Sequence, residues 1–290
     1  MANEVVGVDV KTQLNGTLIG TQTGGSLSVS PDLREIIVKN EPSGGATDWK
    51  ARLSGEQEWS VEHEGLLLNG SDEYDLANGN ASLKLNLDTG DGTPQLLEVP
   101  SLDSIDFSLT QELAETGGLD EPLWRYLRPA EREFSIDISG TYIEPTTTDG
   151  EVHEAIIDNV MAAGGQSVGF ELNVFGVTFT GDVALGDLEM DAQTGGEDAT
   201  LDLSMASDLA LSKAGSFGAG IEPIFTAFMN KSLVDVGMLH YDGSAPETGT
   251  KKYTGSGYYG EVSISMADGE EVTTSGTVEG DGALSTGTAA

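Results

Sequence analysis

The 290-residue chain carries 49 acidic and 13 basic side chains, a net charge of −36, together with 39 glycines and no cysteine. A nucleic-acid binder that grips phosphates, or a protein that adheres to anionic membranes, needs clustered Lys and Arg, so both are excluded; without Cys, so are disulfide staples, thiolate metal sites and thiol nucleophiles. Self-repulsion on this scale opposes compaction at low ionic strength, so the composition points to a chain built for molar salt.

The first residues, Met1-Ala-Asn-Glu-Val-Val-Gly, have no basic end and no apolar core, so no signal peptide is expected. No stretch approaches the apolar length of a membrane span, and a soluble product made in the cytoplasm is expected. Most of the chain alternates apolar and polar residues in short runs bounded by Gly, Asp, Asn and Thr, which is the pattern of half-buried strands. The clearest runs are Ser26–Val29, Glu58–Val61, Ala81–Leu87, Phe134–Ile138, Val168–Leu172 and Thr200–Met205. Two segments read as helices. In Glu151–Ala163 the apolar Val152, Ala155, Ile156, Val160 and Ala163 recur at helical spacing, with a capping box at Thr148-Asp149-Gly150-Glu151 and a stop at Gly164-Gly165. In Glu222–Ser232, Pro223 stands in the first turn and Ile221, Ile224, Phe225 and Phe228 form one stripe.

Internal repetition organises these elements. Trp49–Gly65 aligns without a gap on Trp124–Gly140, pairing Trp49 with Trp124, Glu58 with Glu133, Trp59 with Phe134 and Gly65 with Gly140. A later unit repeats as well: Thr180-Gly181 with Gly186 matches Thr254-Gly255 with Gly260, and Ala210-Leu211-Ser212 matches Ala283-Leu284-Ser285. The order is thus front, front, back, back. A tandem copy would give front, back, front, back, so one copy is expected to be inserted in the other, at an exposed polar loop such as 69–80 or Asp88–Thr93. The expected division is an outer domain of 1–66 plus 213–290, a connecting hairpin or stacking arm at 67–100, and an inserted domain at 101–212. Exchange of halves between two domains is the alternative.

Several motifs invite a chemical reading. Gly255-Ser-Gly-Tyr-Tyr-Gly260 matches the dinucleotide fingerprint, but a strand pattern follows it where a helix is required. His63, His153 and His240 stand apart, none with a second His nearby, and no Gly-x-Ser-x-Gly elbow is present. Asp88-Thr-Gly-Asp-Gly breaks the EF-hand register and reads as a turn. Arg125, Arg128 and Arg132 stand among Glu121, Glu131 and Glu133 and read as a paired surface. Trp49, Trp59, Trp124 and Phe134 recur at matching strand positions, which favours core over sugar stacking. Sequons at Asn15, Asn69, Asn80 and Asn230 read as chance. No catalytic, cofactor-binding or metal residue is predicted, and no cofactor.

One set of motifs carries a resemblance. Ile36-Ile37-Val38, Asp48-Trp49, Leu53-Ser54-Gly55, Trp59-Ser60-Val61 and Glu64-Gly65-Leu66-Leu67 resemble the major tail tube protein of long-tailed, siphovirus-like viruses. So do the back-half features: a short helix, a strand, the Tyr253–Gly260 strand and the close Gly280-Asp-Gly-Ala-Leu-Ser285. The resemblance implies a mainly β, non-enzymatic virion protein: two tail-tube-type β-sandwich or barrel domains, each with one short flanking helix, related by internal duplication. It implies self-association into stacked rings, here a trimer with pseudo-six-fold symmetry, contacts with other tail proteins, passage of DNA without specific binding, and no membrane insertion. With the salt-adapted charge, a haloarchaeal virus tail is the expected location, after synthesis in the host cytoplasm. Three alternatives stay open: a halophilic β-sandwich surface or adhesion protein, a tail adaptor or terminator of the same fold, and a glycoside-active enzyme built on a carboxylate pair.

Overall fold

A computed structural model describes residues 10–37, 50–67, 81–90, 92–116, 124–162, 167–191, 199–218, 220–242 and 245–289. Trp49, the segment 69–80 expected as a loop, with Asn69 and Asn80, and Gly164-Gly165 lie outside these residues. The strands are β1 (Val10–Leu14), β2 (Thr17–Leu18), β3 (Thr21–Ile37), β4 (Lys50–Leu66), β5 (Ala81–Leu87), β6 (Gln95–Glu98), β7 (Leu102–Glu115) and β8 (Leu127–Thr141). After the helix α1 (Thr148–Met161) come β9 (Ser167–Val174), β10 (Val177–Asp191), β11 (Thr200–Ser207) and β12 (Ser212–Ala214). The helix α2 (Glu222–Asn230) precedes β13 (Val234–Asp242), β14 (Ala245–Pro246), β15 (Lys251–Ala267), β16 (Thr273–Gly280) and β17 (Ser285–Thr288). The protein is mainly β, and among the described residues every pairing between two named strands is antiparallel. Each run expected from alternation lies in a strand, and the period-2 pattern sets which face is buried: Ala81, Leu83, Leu85 and Leu87 of β5 are all in the core.

Two successions of strands have the same order of neighbours. One runs β3-β4-β16-β15-β13-β1, with β2 on β1 and β17 on β15. The other runs β7-β8-β11-β10-β9-β5, with β6 on β5 and β12 on β10. Even the irregularities coincide. In β3–β4 the register slips between Gln22 and Gly24 and again between Pro31 and Leu33; in β7–β8 it slips between Leu102 and Ser104 and between Gln111 and Leu113. Val29 faces Trp59 in the first pair as Leu109 faces Phe134 in the second. Bulges re-aim a strand at a chosen residue, so matching bulges at matching positions fix the same path for both hairpins. β5 and β6, within the expected connecting segment 67–100, are a hairpin laid on β9, as β1 and β2 are laid on β13.

The two successions meet along one line. The second half of β15, Glu261 to Ala267, pairs with Thr110 to Ser104 of β7. The first half of β15 lies instead between β13 and β17, with a register slip between Tyr259 and Glu261 where the strand passes from one set of neighbours to the other. The helices occupy equivalent places, α1 on β10 and α2 on β15, and one apolar core joins both successions.

Helix α1 starts three residues earlier than its apolar spacing indicates. Its cap is Thr147, whose side chain accepts from Gly150 N at 3.3 Å, and not Thr148. The expected capping box fails because the third helical position is Gly150, where a Cβ would come within 1.9 Å of the Glu144 carbonyl oxygen. The close approach of that loop admits no side chain. Helix α2 begins with Pro223 in its first turn, as expected, and ends at Asn230, because Lys231 adopts a left-handed conformation (φ 52°) that closes the helix.

Candidate assembly surfaces

The β7–β15 seam sorts its residues by face. On the core side Leu109 meets Val262, Phe107 meets Ile264 and Ile105 meets Met266, all buried. On the other side Thr110 meets Glu261, Ser108 meets Ser263 and Asp106 meets Ser265, and the Ser265 hydroxyl donates to Asp106 Oδ1. Alternation brings like to like on each face, so the pair needs no compensating charge.

A clamp reinforces the seam. Arg125 N donates to the Gln57 carbonyl at 3.0 Å, its carbonyl accepts from Gly282 N at 2.8 Å, and Leu127 N donates to Asp281 Oδ1 at 2.7 Å. The Arg125 guanidinium lies 2.9 Å from Glu58, 3.0 Å from Glu279 and 3.7 Å from Glu115. Burial raises the Glu279 pKa, Arg125 pulls it back down, and the neighbouring Glu58 charge raises it again. Glu121 lies outside the described residues, and Glu131 and Glu133 are not the partners of Arg125: its ion pairs cross to β4 and β16 and reach the end of β7, which charge order along the chain cannot reveal. Of the other two arginines, Arg128 is exposed and Arg132 donates to the Phe228 and Met229 carbonyls at the end of α2. The three therefore form no phosphate-binding patch.

Beyond the seam, eight strands lie side by side in the order β3-β4-β16-β15-β7-β8-β11-β10. The face turned away from the core is dominated by hydroxyls and carboxylates, with the small Ala206 and Ala267 among them. Ser26, Ser28 and Ser30 of β3 stand beside Glu62, Ser60 and Glu58 of β4, and Asp106 of β7 stands beside Asp137 of β8. Ser135, Asp137 and Ser139 pair in turn with Ala206, Ser204 and Asp202. Among the described positions of this face between the bulges there is neither Lys nor Arg nor an aromatic ring.

The other sequence candidates resolve into separate structural places. The glycine fingerprint lies in the middle of β15 with no helix after it; its first glycine serves Trp59, whose ring fills the space a side chain at Gly255 would need. His63 is buried against Tyr259, ring nitrogen to hydroxyl 3.0 Å, and burial lowers its pKa to about 4. His153 accepts from Ile143 N at 3.0 Å, and burial lowers its pKa too; His240 lies 2.5 Å from Glu247. The structure does not bring these three together. Asp88 Oδ1 accepts from Gly90 N and Gly92 N at 2.9 and 3.0 Å, so this carboxylate is committed to its own turn. Among the described residues no group of three His, Asp or Glu side chains is placed to hold a metal ion, and no helix is long and apolar enough to cross a membrane. Asn15 sits in the tight β1–β2 turn and Asn230 is the last residue of α2.

The contiguous succession β5–β12 can be set against known proteins. Residues 77–213 match the phage tail tube protein family. The tail tube match opens just before β5 and closes within β12, so it spans one complete strand succession with its helix. The family is a structural one and not an enzyme family. Among solved structures, one similar chain comes from the tail of an empty gene transfer agent particle, refined helically with C6 symmetry: 23% identity over 47% of this chain and 96% of that one, TM-score 0.37. A second is from the virion of a native gene transfer agent particle, 21% identical over 46% and 95%, TM-score 0.36. A third, from the six-fold symmetrised baseplate of an anti-feeding prophage, is 8% identical over 51% and 97%, TM-score 0.40. No curated protein matches.

Proposed function

We propose that this chain is the major tail tube subunit of a tailed virus, holding two copies of the tail tube unit, one nested in the other. The inner copy would run from about residue 77 to 214, which extends the expected insertion at 101–212 by its first hairpin, and the outer from 10–66 plus 217–289. Subunits join into rings, rings stack into a tube, and the tube conducts DNA from capsid to cell. Three chains, six units, close one ring with pseudo-six-fold symmetry. The observation that carries the reading is the eight-strand wall of hydroxyls and carboxylates. A conduit for a polyanion must repel or ignore it, and cations there would hold phosphates in place. Three such walls make 24 strands, a cylinder on the order of 37 Å across between backbones before strand tilt widens it. The net charge of −36 fits a halophilic host, with assembly into the virion after synthesis in its cytoplasm.

Negative-stain electron microscopy of the protein in molar KCl tests this. Hollow tubes with a regular ring repeat and three-fold class averages are expected. Single rings that never stack would assign the chain to a tail adaptor or terminator, and compact monomers at high concentration would overturn the tube reading.

A further inference from the structure

We propose that the second half of β10 of one copy pairs with β3 of the next copy, in the register that β15 and β7 already use within the chain. This rests on the ring-forming reading above and specifies its contact. β3 corresponds to β7 and β10 to β15 by the shared pairing order and bulges, so the register transfers residue by residue: Leu188 opposite Val29, Met190 opposite Leu27, and Asp187, Glu189 and Asp191 opposite Ser30, Ser28 and Ser26.

Three observations support that contact. First, β3 and β10 are the two ends of the eight-strand run; among the described residues, Ser26–Ser30 pairs on one side only, with β4, and Leu188–Asp191 on one side only, with β11. Seven strand spacings, on the order of 34 Å, separate these edges, so one copy cannot join them to itself. Second, the transferred register keeps apolar residues opposite apolar ones. Leu109 and Ile264 are 1% and 0% exposed in the seam, whereas their counterparts Val29 and Met190 are 48% and 45% exposed. On the polar face the Asp106–Ser265 hydrogen bond would recur with its roles exchanged, as Ser26–Asp191. Third, a cleft of about 780 Å³ lined by Glu131–Ser135, Ala206–Leu211 and the end of α2 occupies the place on the inner unit where Arg125–Leu127 is clamped on the outer one. Segment 50–52 of the next copy, at the start of its β4, aligns in sequence with Arg125–Leu127 and would take that place. The contact is head-to-tail and uses two different patches, so it propagates around a ring.

A cysteine-free chain makes the test direct. The double variant Val29→Cys/Leu188→Cys places two thiols directly opposite each other across the contact, within disulfide reach. Val29→Cys/Glu189→Cys directs the second thiol to the other face. Mild oxidation in molar salt, read on non-reducing gels beside electron microscopy, should give interchain oligomers for the first variant, at least about tenfold more than for the second. Tubes or rings that form normally but show no preferential cross-link overturn this seam and leave the tube reading standing. Monomers by microscopy, with no cross-link in either variant, overturn both.

Discussion

The indole of Trp59 lies where a side chain at Gly280 would have to be: a Cβ there would fall 2.2 Å from Trp59 Cε2. Gly255 closes the other approach, with its Cβ position 2.4 Å from Cζ2, and Trp59 Nε1 donates to the Gly282 carbonyl at 3.0 Å. The ring is 2% exposed and cannot yield outward without losing that bond. Gly280→Ala should therefore destabilise the protein by about 1–3 kcal/mol, the usual cost of overpacking a filled core. Gly287→Ala in β17, where an added Cβ meets nothing within 4 Å, should stay within about 0.5 kcal/mol of wild type. Urea midpoints in molar salt separate the two; equal midpoints would contradict this packing.

Thr147 and Thr148 make a sharper comparison, because only Thr147 caps α1. Thr147→Ala should cost about 1 kcal/mol, leaving an orphan N–H at the first turn. Thr148→Ala should leave the melting temperature almost unchanged. The reverse ranking in thermal unfolding would restore the capping box expected from the chain alone.

His63 should remain neutral until the pH approaches 4. The unfolded chain takes up this proton near 6.5, so between those values the unfolded state binds more protons. Stability from this group is complete above pH 6.5 and falls as the pH drops toward about 4, by at most roughly 3 kcal/mol, with no further loss below that. An NMR titration of the His63 imidazole checks it directly. A midpoint above pH 6 would mean that water reaches the ring.

Arg125→Met removes a cation set among Glu58, Glu115 and Glu279. The carboxylates are all partly exposed, so solvent already weakens the attraction, and a loss of about 1 kcal/mol is expected in dilute buffer. Screening at molar KCl should shrink that loss, because the repulsion left among the three acids is screened too. Urea unfolding at both salt concentrations measures the difference. A loss unchanged by salt would show that Arg125 acts by packing and not by charge.

Much of this fold can be read along the chain because alternation is a local property. β5 shows the same seven residues in sequence and in structure, since its buried and exposed positions follow one another without interruption. Sequence similarity located the Trp49–Gly65 and Trp124–Gly140 repeat, and the shared bulges give its two hairpins the same geometry. The glycine fingerprint could be dismissed on order alone, because a strand follows it. Val29 and Met190 carried no such sign: an apolar residue in an alternating run reads as core whether or not anything covers it. The partners of Arg125 were equally hidden, since Glu58 and Glu279 stand 67 and 154 residues away in the chain.

The β class, the two flanking helices, the repeated motifs and the anionic surface all follow from local order along the chain. Which strand lies beside which emerges on folding: β5 and β6 dock on β9, β7 joins β15, and among the described residues β3 and β10 are left as edges of the eight-strand run. A strand's face follows from its own period of two, but its neighbour is chosen among all strands by register, bulges and burial across the whole chain. That choice is non-local, and here it leaves Leu109 covered and Val29 open at equivalent positions.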